Sequence, residues 1–508
     1  MIHQAAIAAP NAYAAQAAQH ALGAGGNAVD AAIAAMAVAT VTEPGVIAPL
    51  AGGYLNIWPT HGDPIVIDAN IEMPGRGQPQ ERFGAGLIEV DSDYGGGMKT
   101  FVGPGSVGTP GMMAGMGWAH ERYGSAPWHE LMQPAADVSR AGFALSRTSQ
   151  SYLALVYDTI LSWDPRTRAL LTAEGEAPPI GHPIRDEQLA ATLEQIGQEG
   201  WQSLYTGDVA HAIDADMRDR GGLLCAADLA AYRPVIRPAL RSQLGDWDLA
   251  CNPPPSIGGP VLTAMLRLLQ AVEGRATPAR AVTQLKNVLD LRLDKLDTAE
   301  DLAAAGAELL ATLHDIGSLG LPQSASTAHV SVVDDEGLAC AFTASAGYCS
   351  GMTIGTTGLM GNNALGELEL NRLGVHALPP GTRLASNMAP TTARRCDGAI
   401  LAIGTPGADR ITTALAQVMT HTALHSEDLQ TAIDRPRMHP RRLEDGSTMV
   451  EHEQDPVIAA SLDEAGIPRH EHGRFAMYFG GVGAAMLHPD GLLEAGADPR
   501  RASATLVT

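Results

Sequence analysis

The stretch Ser324-Ala325-Ser326-Thr327-Ala328-His329-Val330-Ser331-Val332-Val333-Asp334 constrains this chain more than any other. A run of small polar residues stops, and a β-rich run begins whose first member is a threonine. Asp334-Asp335-Glu336-Gly337 follows, and then a second apolar run from Leu338 to Thr343. Two β-rich runs joined by a short acidic turn ending in glycine predict a hairpin. A hairpin alone carries no function, so the residues around it decide what it is for.

With 508 residues, 45% of them hydrophobic, the chain is globular and has ample material for a core. Its 33 basic and 56 acidic residues leave a net charge of −23, which repels nucleic acid and anionic membrane surfaces. The five cysteines (Cys225, Cys251, Cys340, Cys349, Cys396) show no CxxC spacing, so reduced thiols are expected rather than a disulfide framework. No basic segment precedes an apolar stretch at the N-terminus, so no signal peptide is expected. The most apolar window, 31–41, is far too short for a membrane span. A soluble, cytoplasmic protein is expected.

Residues 12–22 read as an alanine-rich helix closed by Gly23 and Gly25-Gly26. Asn27 caps a second helix, with Asp30 in its first turn. Alanine at most positions from 31 to 39 keeps that helix thin enough to pack closely on a sheet. Residues 52–58 and 65–68 read as a second hairpin, central in a sheet. The pattern from 112 to about 232 is mainly helical. A strand near Trp247–Cys251 leads through Pro253-Pro254-Pro255 and Gly258-Gly259 into a helix from Val261 to Val272. A charged helical zone covers 273–320, and 317–326 reads as a loop. The strand 400–403 opens into Gly404-Thr405-Pro406-Gly407-Ala408 and a helix over 411–425. A last hairpin pairs 484–488 with 492–495. No internal repeat or long linker divides the chain, so one body is expected.

Several familiar chemistries fail on spacing. Gly103-Pro104-Gly105-Ser106-Val107-Gly108 contains GxGxxG, but prolines interrupt it, no GK[ST] follows and no βαβ repeat surrounds it. It therefore reads as a structural turn rather than the cofactor site of a nucleotide-dependent oxidoreductase. No GxSxG elbow occurs. His470-Glu471-His472 is too tight for HExxH, and the 17 histidines are scattered, so neither metal nor cofactor is assigned.

A dozen fragments in order resemble the γ-glutamyltranspeptidase family of N-terminal-nucleophile hydrolases. They include Gly25-Gly26-Asn27-Ala28-Val29-Asp30, Glu72-Met73, Gly108-Thr109-Pro110-Gly111, Pro253-Pro254-Pro255-Ser256 and Thr327–Asp334. Asn362-Asn363, Gly404-x-Pro406-Gly407, Pro436-Arg437 and Asp498-Pro499-Arg500-Arg501 continue the series to the C-terminus. The resemblance implies an α+β fold, a four-layer αββα sandwich made as one precursor that cuts itself between Ser326 and Thr327. Residues 1–326 and 327–508 would remain associated as large and small chains, with Thr327 at the new N-terminus.

A hydroxyl is a poor nucleophile without a base beside it. A free α-amino group titrates near about 7.7–8.0, so an N-terminal threonine supplies both. Its β-branch also restricts χ1 and helps to aim Oγ1. The resemblance further implies that Ser345 hydrogen-bonds the nucleophile and that the Gly407-Ala408 amides form an oxyanion hole. Alanine stands there for the family's second glycine. Glu367, Ser386 and Asn387 occupy substrate-binding positions, with asparagine in place of the second of a serine pair. Gln80 stands where the family has the arginine that clamps a substrate carboxylate, with Arg76 and Arg82 nearby. Gly347 replaces an asparagine and Ala364 a polar residue. Losing a bidentate carboxylate clamp costs on the order of a few kcal/mol of binding.

The expected activity is γ-glutamyl transfer or hydrolysis of glutathione-type amides, to water or an amine acceptor. Amide hydrolysis of another acyl group (oxamate- or glutaryl-type) is the alternative within the family, and a catalytically silent homologue the alternative outside it.

Overall fold

Two antiparallel sheets stack face to face, and alanine sets how closely they approach. The computed structural model describes residues 3–92, 98–272, 277–297, 299–312, 327–371, 373–443 and 445–508. The first sheet runs, edge to edge, through Ala504–Val507, Ala5–Ala9, Ala328–Asp334, Ala339–Ser345, Gly52–Trp58, Ile65–Ala69 and Val235–Pro238. The second runs through Leu493–Ala497, Gly483–Leu487, Ile400–Gly404, Thr391–Arg395, Trp247–Cys251 and Leu240–Leu244. Between them lie Ala6, Ala250, Ala339, Ala341, Ala402 and Ala485 with only a few larger side chains. Methyl groups facing methyl groups allow close contact at interior packing density. Asn56 ties the layers by polar contacts. Its Nδ2 donates to the carbonyls of Ala250 (2.6 Å) and Pro390 (3.0 Å), and its Oδ1 accepts from Thr392 Oγ1 (2.8 Å).

Helices cover both outer faces. Asn27 caps the helix Ala28–Thr42, accepting from the Val29 and Asp30 amides while Asp30 accepts from the Asn27 amide. Every residue of this helix is buried, and it packs on the strands Ala328–Asp334 and Ala339–Ser345. The helices Gly258–Ala271 and Arg410–Leu424 pack on the second sheet. The fold is therefore the αββα sandwich, with strands from both sides of residue 326 in each sheet.

Most expected elements appear within a residue or two. The helix expected from Val261 begins at Gly258, which must be glycine because a Cβ there would lie 2.3 Å from both the Asn387 and Met388 carbonyl oxygens. The Gly103–Gly108 segment is a structural turn: Gly105 N–H donates to Gly86 O and Gly108 N–H to Asn362 Oδ1, so these amides are spent inside the protein. The expected loop 317–326, Ser326 included, lies outside the described residues. Among the described residues no helix is long and apolar enough to cross a membrane. The five cysteines are unbridged, and burial pushes the Cys251 thiol up to about 11.

Candidate active site

Thr327 immediately precedes the strand Ala328–Asp334, whose partner is Ala339–Ser345. Ala328 pairs with Ala344, so one further step of the antiparallel ladder sets Thr327 opposite Ser345. The eighteen-residue spacing between them is thus two strands and a turn. Thr327 is buried and reaches a cavity that it lines together with Asn70, Ser345, Gly347, Ala364, Glu367, Ser386, Asn387 and Ala408.

The Gly404–Asp409 loop arrives from the second sheet. Its parent strand Ile400–Gly404 leads directly into the helix Arg410–Leu424. Gly407 has φ +134° and Ala408 φ +59°. The second value lies in the left-handed region, where an L-residue with a Cβ is held at a cost of roughly 1–2 kcal/mol. The surroundings enforce this shape. The Arg410 and Ile411 amides donate to the Gly407 and Ala408 carbonyls, and Thr405 Oγ1 accepts from Gly481 N–H at 2.9 Å. Among the described residues the Gly407 and Ala408 N–H groups have no acceptor. Although burial alone would raise Asp409, the adjacent Arg410 guanidinium and His439 hold its carboxyl down at about 2.

His329 supports this loop from below. It sits two residues after Thr327, on the same face of the strand by β alternation. A Cβ on Gly404 would lie 2.3 Å from its ring, so strand and histidine are in intimate contact. Ser331 Oγ donates to Gly483 O (3.1 Å) and so must accept from His329 Nε2 (2.7 Å), which leaves Nδ1 to accept from Thr343 Oγ1 (2.8 Å). Full burial lowers its pKa to about 3, so the ring is neutral.

Ser386 and Asn387 are held by the turn before the helix Gly258–Ala271. The Ile257 and Gly258 amides donate to Ser386 O, and Ser386 Oγ accepts from Met388 N–H. Asn387 Oδ1 is buried on the cavity wall and has no hydrogen-bond partner among the described residues. Gly347 has φ +61°, and a Cβ there would lie 2.2 Å from Asn363 Oδ1 and 3.0 Å from Glu367 Oε2. Asn363 Oδ1 is committed to the Tyr348 amide at 2.6 Å. An asparagine at position 347 would therefore not fit this backbone, and glycine leaves the space to Glu367. Burial and the charge of Glu367 raise the neighbouring Glu369 well above the usual carboxylate range.

Gln80 departs from the grouping expected from the sequence. It is exposed on the short turn Gln80–Arg82 and does not line the cavity. Nor do Arg76 and Arg82 replace it. Arg76 pairs with Glu72 (3.4 Å) and Asp228 (3.7 Å), and Arg82 donates to Gly222 O. Arg383, close in sequence to the wall residues Leu384 and Ser386, is spent on Glu72 (2.8 Å), Asp68 (3.5 Å) and the Asn70 carbonyl. No lysine or arginine is among the described residues lining the cavity. Sequence reasoning missed Asn70 and His329. A polar residue ending a buried strand, and a histidine in phase with the nucleophile, were the available signals.

A model of the family described as Gamma-glutamyltranspeptidase matches residues 14–290 and 299–508. The Acylase ACY 1 proenzyme of Pseudomonas sp. (strain SE83) is 29% identical over 503 residues, covering 92% of this chain and 87% of that protein. The Glutathione hydrolase proenzyme of Escherichia coli (strain K12) is 27% identical over 514 residues, covering 94% and 87%. The crystal structure of a cephalosporin acylase from Bacillus halodurans superposes with a TM-score of 0.80 at 23% identity, over 99% of this chain and 96% of that one, and is similar in fold.

Proposed function

Since the chain belongs to the γ-glutamyltranspeptidase family of enzymes, we propose that it is a self-cleaving N-terminal-threonine amidohydrolase acting on acyl amides through an acyl-enzyme. The observation that carries this reading is the meeting at one cavity of Thr327, Ser345 and Ala408, whose left-handed backbone follows Gly407. In maturation, Thr327 Oγ1 attacks the Ser326 carbonyl and the peptide nitrogen leaves as the new α-amine. Water then hydrolyses the ester, leaving a Ser326 carboxylate and a free Thr327. Both relatives named above are proenzymes, which supports such processing. In turnover, the Thr327 α-amine takes the Oγ1 proton as Oγ1 attacks the substrate carbonyl. The Gly407 and Ala408 N–H groups stabilise the oxyanion. The α-ammonium then gives its proton to the departing amine, and water or an acceptor amine releases the acyl group.

The cavity lining favours an acyl group without a carboxylate to be clamped. Its polar wall residues are Asn70, Ser345, Glu367, Ser386 and Asn387, with no cation among the described lining residues. Such an acyl group would leave no buried anion unpaired. One observation favours γ-glutamyl substrates instead: the carboxylate of Glu367 is placed to hold an α-ammonium group. A panel of γ-glutamyl, glutaryl, oxamate and carboxylate-free butyryl amides, read as amine release by the processed enzyme, decides between them. Release from butyryl amides, with glutaryl and oxamate amides left intact and no glutamate from glutathione, supports the first reading. Efficient glutamate release overturns it in favour of the second.

A further inference from the structure

On the far side of the oxyanion loop, a three-stranded sheet is built from Met438–Arg442, Thr448–Glu453 and Arg469–His472. Its last two strands run parallel, with Glu451 beside His470 and Glu453 beside His472. Strand alternation places the His470 and His472 rings on one face, with centroids 4.7 Å apart. Glu451 Oε2 receives both, at 2.7 Å from His470 Nδ1 and 2.9 Å from His472 Nε2. We propose that Glu451, His470 and His472 form a binding site for a divalent ion of the zinc class, and that its occupancy acts on the oxyanion loop.

The donor set is two imidazole nitrogens and one carboxylate oxygen, all within 4.8 Å of one another. Two nitrogens with one oxygen suit Zn²⁺, Co²⁺ or Ni²⁺ rather than the all-oxygen shells of Ca²⁺ and Mg²⁺. On binding, each neutral imidazole takes the tautomer with its proton on the other ring nitrogen, so His470 Nδ1 and His472 Nε2 present lone pairs and one ion replaces the two N–H groups now directed at Glu451. Glu451 is buried, while His470 is largely exposed, so water completes the shell on the open side. Arg441 Nε, 2.7 Å from Glu451 Oε1, holds the other carboxylate oxygen and turns Oε2 toward the histidines. An ion-paired outer partner of this kind helps to fix a ligand's orientation.

A path of contacts runs from this site to the oxyanion loop. The His472 ring stacks on Tyr478, at 4.8 Å and 15°. The same tyrosine ring carries the Arg410 guanidinium at 4.5 Å, and its carbonyl accepts from Arg410 Nε at 2.9 Å. Arg410 pairs with Asp409, the residue after Ala408. An ion that fixes His472 therefore braces the residues that hold Ala408 in its left-handed shape. This coupling, unlike the ion site itself, rests on the proposed function.

Co²⁺ titrated into the processed protein, followed by its visible absorption and by competition with Zn²⁺, tests the site. One saturable Co²⁺ per chain is expected. His470→Ala, or His472→Phe (which keeps an aromatic ring against Tyr478), should weaken binding at least about tenfold. The double substitution His421→Ala with His425→Ala, at a second surface histidine pair near Glu427, should leave the signal unchanged. No saturable binding, or a signal lost with His421 and His425 instead, overturns the site. For the coupling, Zn²⁺ should change turnover in the wild type and not in His470→Ala. An unchanged rate at full occupancy overturns the coupling. Absence of all amidase activity would overturn the proposed function instead, while the Co²⁺ signal still reports on the site.

Discussion

Asn387→Leu should make the protein more stable and a poorer enzyme. Asn387 Oδ1 is buried on the cavity wall without a partner among the described residues. An unsatisfied buried acceptor costs about 1–3 kcal/mol, which a near-isosteric apolar side chain removes. Unfolding entropy of about 2.1 cal/mol/K per residue over 508 residues is about 1.1 kcal/mol per kelvin, so the melting temperature should rise by roughly 1–3 °C. If that oxygen accepts from a substrate N–H, its removal costs about 0.5–1.5 kcal/mol of binding, a roughly two- to tenfold rise in KM with kcat little changed. Thermal melts of the processed protein and steady-state kinetics on the best amide of the panel read both effects. A variant that melts lower than wild type with an unaltered KM would refute the assignment of Asn387 as an acceptor kept open for substrate.

His329 is neutral in the fold with a pKa of about 3 against 6.5 free. Its contribution is complete above pH 6.5 and is lost as pH falls toward 3, by about 2 kcal/mol at pH 5. Wild type should therefore lose more melting temperature between pH 7 and pH 5 than His329→Gln, and an equal loss would contradict the buried, neutral ring. Gly347→Ala should destabilise the fold by about 2 kcal/mol, because its Cβ meets Asn363 Oδ1 at 2.2 Å in a left-handed backbone. Denaturant midpoints measure this, and a neutral result would sink the steric account. Ala408→Val places a β-branched residue at φ +59° and should lower kcat with little change in KM, while Ala408→Gly should retain kcat. Equal kinetics for the two variants would remove the oxyanion role.

Much of the fold was legible because its signals are local. Asn27 followed by Asp30 specifies a capped helix, and the acidic turn between Val333 and Leu338 specifies a hairpin. The pairing of Thr327 with Ser345 also follows from strand lengths once the hairpin is granted. The position of Gln80 was not legible, since an aligned position says nothing of where an irregular loop turns its side chain. The fit of Gly347 was hidden for a related reason: the space that a side chain would need is taken by Asn363, sixteen residues away. The meeting of Glu451 with His470 and His472 depends on a parallel pairing across an intervening helix, which no local spacing encodes.

Denaturing electrophoresis with N-terminal sequencing of freshly made protein tests the central claim most directly. The account predicts two fragments, residues 1–326 and 327–508, with the smaller beginning Thr-Ala-His-Val, and one uncut band for Thr327→Ala. A single uncut band from folded wild-type protein, or a small fragment with any other first residue, would contradict it.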